Sequence, residues 1–225
     1  MGDSTIEPAS PPLSGYHVLP EDWVQIPLRQ RHPEASVRSV VTSAFARPPA
    51  GVPRDKLAPL RLELERRLLA AVAEARKADA LELYLPMKLA VEVNLGASFT
   101  VSLARLPVRS PAGGGATSTS VPAEIAVQLL AGESPTDTSD VDLSSGEVDG
   151  ALAVRRERVV SADPARGAEL ASRRVEYLVA VPADPGQWLV VAFSTIGAGN
   201  PQDELSQALV EWFDALMTTF RWSWT

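Results

Sequence analysis

The chain has 225 residues and a mass of 24.0 kDa, with 21 Lys plus Arg against 28 Asp plus Glu, a net charge of −7 and an isoelectric point near 5.0. Its length suits one large domain or two small ones, and a chain of this size buries on the order of 70% of its unfolded surface, so its core needs no covalent staple. The absence of cysteine excludes disulfides, thiolate metal sites, a cysteine nucleophile and a lipid-anchored cysteine, and the acidic balance is the wrong sign for non-specific binding to nucleic acid or anionic lipid.

Residues 1–15 (MGDSTIEPASPPLSG) carry three prolines and few large apolar groups, which predicts a disordered tail followed by a single domain over 16–225. In LPEDWVQIPL (19–28) a short apolar run between Pro20 and Pro27 predicts an edge strand. Over 33–46, Val37, Val40, Val41 and Phe45 stand at helical spacing, with Pro33 in the first turn and Pro48-Pro49 as the stop. A long helix is expected from Pro59 to Lys77, with Leu60, Leu64, Leu68, Ala71 and Ala75 as its stripe and Arg61/Glu65 and Glu63/Arg67 as solvent-face pairs.

ALELYLP (80–86) alternates as a strand, and the same odd parity runs from Leu89 through Phe99, Val101 and Leu103, giving one long strand or two split near Gly96. Residues 110–120 are low in complexity, and Ser120 would cap a short helix carrying Ile125, Leu129 and Leu130. The acidic stretch 131–150 is read as a solvated loop, because Gly146 directly before Glu147 breaks the register of a calcium loop. Strands follow at 148–160 and 170–181, then the doubly apolar WLVVAFS (188–194), which belongs at the centre of a sheet. Asn200-Pro201 opens a final helix with the stripe Leu205, Leu209, Trp212/Phe213, Leu216 and Phe220. Consecutive strands with turn-length links predict an α+β fold: a mainly antiparallel sheet of six or seven strands with helices packed on its faces.

Little in the chain speaks for catalysis. Its two histidines, His17 and His32, stand in irregular, proline-flanked settings, and nucleophile elbow, Walker loop and dinucleotide fingerprint are all missing. The free N–H groups ahead of the final helix offer an anion site, but Asp203 and Glu204 already occupy that positive end. No catalytic, cofactor or metal residue is assigned, and the chain is read as a non-enzyme without a cofactor.

Two groups of residues remain as partner-binding candidates. Arg155, Arg156, Arg158, Arg173 and Arg174 form the one basic cluster; a hairpin of the two strands would set Arg158 near Arg173 and Arg155 near Glu176, a charged sheet edge that leaves Arg155, Arg156, Arg173 and Arg174 as binding candidates. Trp222 and Trp224 alternate with Phe220 at non-helical spacing, so the terminus is expected to leave the helix and fold back over the sheet or a terminal strand, with the tryptophans as possible anchors for a partner.

The opening LPEDWVQIPL and the ending WLVVAFST…PQDELSQALVEWFDALMTTFRW resemble the PsbP-like superfamily, with its Ran-binding Mog and actinobacterial LpqN-type branches, over Trp23 to Leu28 and Gln187 to Trp222. That resemblance implies an antiparallel sheet between helices, no cofactor, and binding or assembly roles in place of catalysis. Arginine far outnumbers lysine, in keeping with a GC-rich, actinobacterial genome. Met1-Gly2-Asp3-Ser4 lacks the basic and apolar regions of a signal peptide and no apolar run approaches ~20 residues, so a cytoplasmic location without membrane insertion is expected. The expected partner is another protein; the alternative is a cytoplasmic immunity or secretion-accessory protein that binds a toxin or a secretion substrate.

Overall fold

The strands of the second half follow one another through short links and lie side by side, whereas two helices separate the first pair of neighbouring strands in sequence. The computed structural model describes residues 13–18, 20, 23–46, 54–86, 96–105, 142–164, 168–182, 184 and 186–224. In chain order these are strands β1 (Leu13–His17) and β2 (Trp23–Pro27), helices α1 (Pro33–Ala44) and α2 (Arg54–Lys77), strands β3 (Ala80–Pro86), β4 (Ala97–Arg105), β5 (Asp142–Val148), β6 (Ala151–Val160), β7 (Ser172–Ala180) and β8 (Gln187–Thr195), helix α3 (Glu204–Thr218) and strand β9 (Arg221–Trp224). The fold is α+β: a seven-stranded antiparallel sheet in the order β2-β3-β4-β8-β7-β6-β5, and a two-stranded sheet of β1 and β9. None of the described helices is long and apolar enough to cross a membrane.

The doubly apolar run of β8 lies at the middle of the seven, and the proline-bounded β2 lies at one edge. Both follow from hydrogen-bonding capacity: a central strand needs partners on both sides and apolar neighbours on both faces, whereas a strand ending in proline tolerates an open side. The odd-numbered residues of β4, β7 and β8 face α3, where Phe99, Val101, Val175, Val179, Val191 and Phe193 pack on Leu209, Phe213, Leu216 and Met217. On the opposite face, α1 and α2 cover the β2–β3 end through Val37, Val41 and Val72 against Ile26, Leu28 and Leu83.

Several expectations are corrected here. Residues 13–15 of the tail predicted over 1–15 belong instead to β1, where β9 offers the chain a partner strand, and residues 1–12 lie outside the described residues. Helix α2 begins at Arg54 and takes Pro59 inside its first turns, where a missing N–H removes a single ladder bond. Its contact stripe is Leu64, Leu68, Leu69, Val72 and Ala75, while Leu60 is 47% exposed and Ala71 is also exposed, since only the C-terminal part of the helix rests on α1 and β3. Glu63 pairs with both Arg66 and Arg67, and Arg61 donates instead to Thr42 Oγ1.

Residues 142–150 of the acidic stretch form β5 and a two-residue turn at Asp149-Gly150, both with positive φ (49° and 74°), the backbone of a type I′ hairpin. The cap of α3 is Asp203, whose Oδ1 accepts from Ser206 N; Asn200 instead closes a turn by accepting from Gln202 N. Gly197, at φ +56°, is required there: a Cβ would lie 2.2 Å from Ser206 Oγ and 2.4 Å from Asp203 Oδ1. The extension of β4 toward Leu89 and the helix after Ser120 lie outside the described residues.

Candidate functional site

Register decides what the basic cluster meets. Arg156 lies opposite Glu176, Arg158 opposite Arg174 and Val159 opposite Arg173, one residue away from the expected pairing of Arg158 with Arg173 and Arg155 with Glu176. A slip of one residue exchanges the faces on which side chains stand, so Arg155, Glu157, Arg173 and Tyr177 project toward α3 while Arg156, Arg158, Arg174 and Glu176 project away from it.

On the α3 side, Arg155 donates from Nε and Nη2 to the two oxygens of Asp214, 2.9 Å each, and from Nη2 to Glu157 at 2.6 Å. Tyr177 Oη donates to the same Asp214 at 2.9 Å, and Arg173 binds Glu157 from its other side. The Arg155 side chain is only 16% exposed. Burial works against its charge, but the hydrogen bonds to Asp214 and Glu157 outweigh that and hold its pKa above the ordinary arginine value. Burial, reinforced by the Asp214 carboxylate, pushes the Tyr177 phenol up.

On the far side, Arg156 donates to Glu176 at 2.6 Å and Arg158 stands 3.7 Å from the same carboxylate. Arg155, Arg156 and Arg173 are thus internal ion pairs, and Arg174 contributes a buried Nε without a hydrogen bond. The tryptophans divide as well. Trp222 is 7% exposed, edge-on to Phe220 and opposite Tyr16 in the β1–β9 ladder, so it belongs to the core; Trp224, two residues on, is 43% exposed.

A groove of about 250 Å³ lies between α3 and the β5–β6 hairpin, with Glu147, Val148, Asp149, Tyr177, Asp214 and Thr218 among its lining residues. Three of the lining residues are acidic and none is basic. Asp149 is fixed by its turn: one oxygen accepts from Trp222 N at 2.8 Å, and the other is 3.8 Å from Arg221 Nε. The hairpin and the C-terminal strand are therefore tied together at the groove's rim.

Sequence reasoning missed Asp214 and Glu82. Glu82 accepts from Tyr16 Oη (2.6 Å), Tyr84 Oη (2.8 Å) and Gln25 Nε2 (2.6 Å), joining β1 to the main sheet. Burial and the Glu82 carboxylate push both phenols up. The partners come from separate strands, and only the same-face spacing of Glu82 and Tyr84 was visible locally.

Among the described residues no group of three His, Asp or Glu side chains is arranged to hold a metal, and His17 at the end of β1 and His32 just ahead of α1 are both exposed. Compared with known proteins, the chain matches no family model and no curated protein. The functional reading therefore rests on the groove, its charge and the strand that borders it.

Proposed function

We propose that the protein is a non-catalytic, protein-binding or assembly-accessory domain of the PsbP-like type. One observation carries the reading: the partly buried ionisable groups at the groove, Arg155, Tyr177 and Asp214, are engaged with one another. A general acid or base needs a pKa near the working pH and a free path to its substrate. Tyr177 is moved away from that range, and Asp214 is held by Arg155 and Tyr177 together. What remains open is surface: the groove, the strand β5 beside it and Trp224. The antiparallel sheet, with a final helix running into Arg221-Trp222, supports the PsbP-like part of the proposal. The cytoplasmic setting expected from the sequence belongs to the same proposal.

The acidic lining favours a second reading in the same class, an immunity or secretion-accessory protein that holds a basic toxin or secretion substrate. Affinity capture from the native host, with the His17→Ala/His32→Ala double variant alongside the parent, tests the first reading. A stoichiometric protein partner retained by both chains supports it, and the nature of that partner separates the two readings. An enzymatic activity lost in the folded double variant overturns it.

A further inference from the structure

We propose that β5 is a docking edge: an extended, basic segment of a partner protein adds to it as an antiparallel strand and sets alternate side chains against the groove beneath α3. The proposal rests on the protein-binding reading above and states where and how that binding takes place.

The two edges of the main sheet are finished differently. At β2 the strand is five residues long, ends in Pro27 and has its Trp23 ring stacked on Trp212 at 4.8 Å. Proline and short length are the usual ways in which a fold prevents an edge from recruiting another strand. At β5 the strand is seven residues long, contains no proline, pairs with β6 in unbroken register, and exposes every residue from Asp142 to Glu147.

The hairpin turn sets which backbone groups are free. Val148 and Ala151 flank a two-residue turn and form a hydrogen-bonded pair. Alternation along an antiparallel ladder then turns the N–H and C=O groups of Leu143, Ser145 and Glu147 away from β6. Those three residues offer six main-chain groups to an incoming strand, the arrangement that strand addition uses for affinity, while pockets beside it supply specificity. On the α3 side the small Ser144 and Gly146 leave the approach to the groove open.

Charge selects the occupant. Asp149 and Asp214 line the groove beside the Glu147 backbone, the Glu147 carboxylate stands on the far face of the same edge, and Asp142 at the other end of the strand has 76% of its side chain exposed and lies 3.8 Å from Arg155, whose shorter contacts go to Asp214 and Glu157. A segment bearing Lys or Arg complements this edge. A second copy of the chain would bring another strand with two carboxylates and no Lys or Arg, adding negative charge along the edge with nothing to offset it.

The test uses the full ¹⁵N-labelled chain and two end-blocked heptapeptides, one alternating valine with lysine and one alternating valine with glutamate. The lysine peptide is expected to shift the amide signals of Leu143, Ser145 and Glu147, and the glutamate peptide to bind about tenfold more weakly or less. Ser145→Pro removes an outward N–H while leaving the β6 ladder whole, and should weaken the lysine peptide about tenfold or more with the thermal midpoint kept. Should that variant not fold, Asp142→Lys/Glu147→Lys carries the test by reversing the preference between the peptides. Equal binding of both peptides, shifts confined to other strands, or a chain that sediments alone as a dimer with its β5 amides protected would each overturn the proposal. Host partner capture keeps the two questions apart. A partner held equally by parent and Ser145→Pro chains removes the β5 site and leaves the protein-binding reading intact; an enzymatic activity found with no partner removes that reading whatever the peptides do.

Discussion

Arg155 on β6 grips Asp214 on α3 with two parallel hydrogen bonds of 2.9 Å, and this single contact clamps the final helix to the hairpin half of the sheet. Bidentate guanidinium–carboxylate pairs are directional as well as strong, so the clamp sets the helix's rotation over the groove. Asp214→Ala should leave the Arg155 guanidinium partly buried with one fewer counter-charge, destabilising the fold by ~1–3 kcal/mol in urea titrations. Asp214→Ala combined with Tyr177→Phe should cost less than the sum of the two, because both remove the same hydrogen bond. A strictly additive result would show that Tyr177 finds no support from Asp214.

Phe213 is fully buried, with its ring 4.8 Å from Phe193, 5.8 Å from Tyr177 and 5.9 Å from Phe99. Phe213→Ala should cost on the order of 3–5 kcal/mol. Trp222→Ala is expected in the same range, whereas Trp224→Ala should stay within ~0.5 kcal/mol of the parent. Denaturant midpoints for the three variants check this order, and a Trp224 variant as damaged as the Trp222 one would refute the division of the two tryptophans.

Alkaline pH should unfold the protein through its tyrosines. All three, Tyr16, Tyr84 and Tyr177, have their phenol pKa raised by burial and by the carboxylate each one meets. A raised folded-state pKa gives stability that is complete below the unfolded value of about 10 and lost progressively as the pH climbs above it. Absorbance at 295 nm should therefore stay low while the chain is folded and rise together with loss of the circular dichroism signal. Tyrosinate appearing near pH 10 in a folded chain would contradict the buried phenol–carboxylate pairs.

Strand β1 should bear on stability in spite of its proline-rich approach. Tyr16 hydrogen-bonds Glu82, stacks on Phe220 at 6.0 Å between ring centres, and faces Trp222 across the ladder. A chain beginning at Leu13 keeps these contacts and one beginning at Val18 loses them. The second should melt clearly below the first; equal melting temperatures would show that β9 holds its place unaided.

Local spacing was enough for α1, β3, the central β8 and the stripe of the last helix as far as Leu216, because each is dictated by a period of two or 3.6 over a handful of neighbours; Phe220, expected on that stripe, lies beyond the end of the helix at Thr218. Pro20 ahead of β2 and Pro27 at its end likewise announced an edge strand. The β5–β6 hairpin was equally legible in Asp149-Gly150 between Val148 and Ala151, a strong turn signal hidden by the surrounding carboxylates. Acidic residues argue for solvent, and an exposed edge strand satisfies that condition as well as a loop does.

The faces of the arginines and the fate of the terminal tryptophans lay beyond any local pattern. Arg155 finds Asp214 across 59 residues of chain and Tyr16 finds Glu82 across 66. A one-residue change of register, invisible in composition, would have sent the arginines of the slipped strand to the other face. Trp222 and Trp224 have the same side chain and similar neighbours in sequence, yet one is buried and the other exposed. Burial depends on which distant surfaces arrive to exclude water. Phe220 and Tyr16 cover the first ring, and that meeting of β9 with β1 is a product of the assembled sheet, which no short-range periodicity can encode.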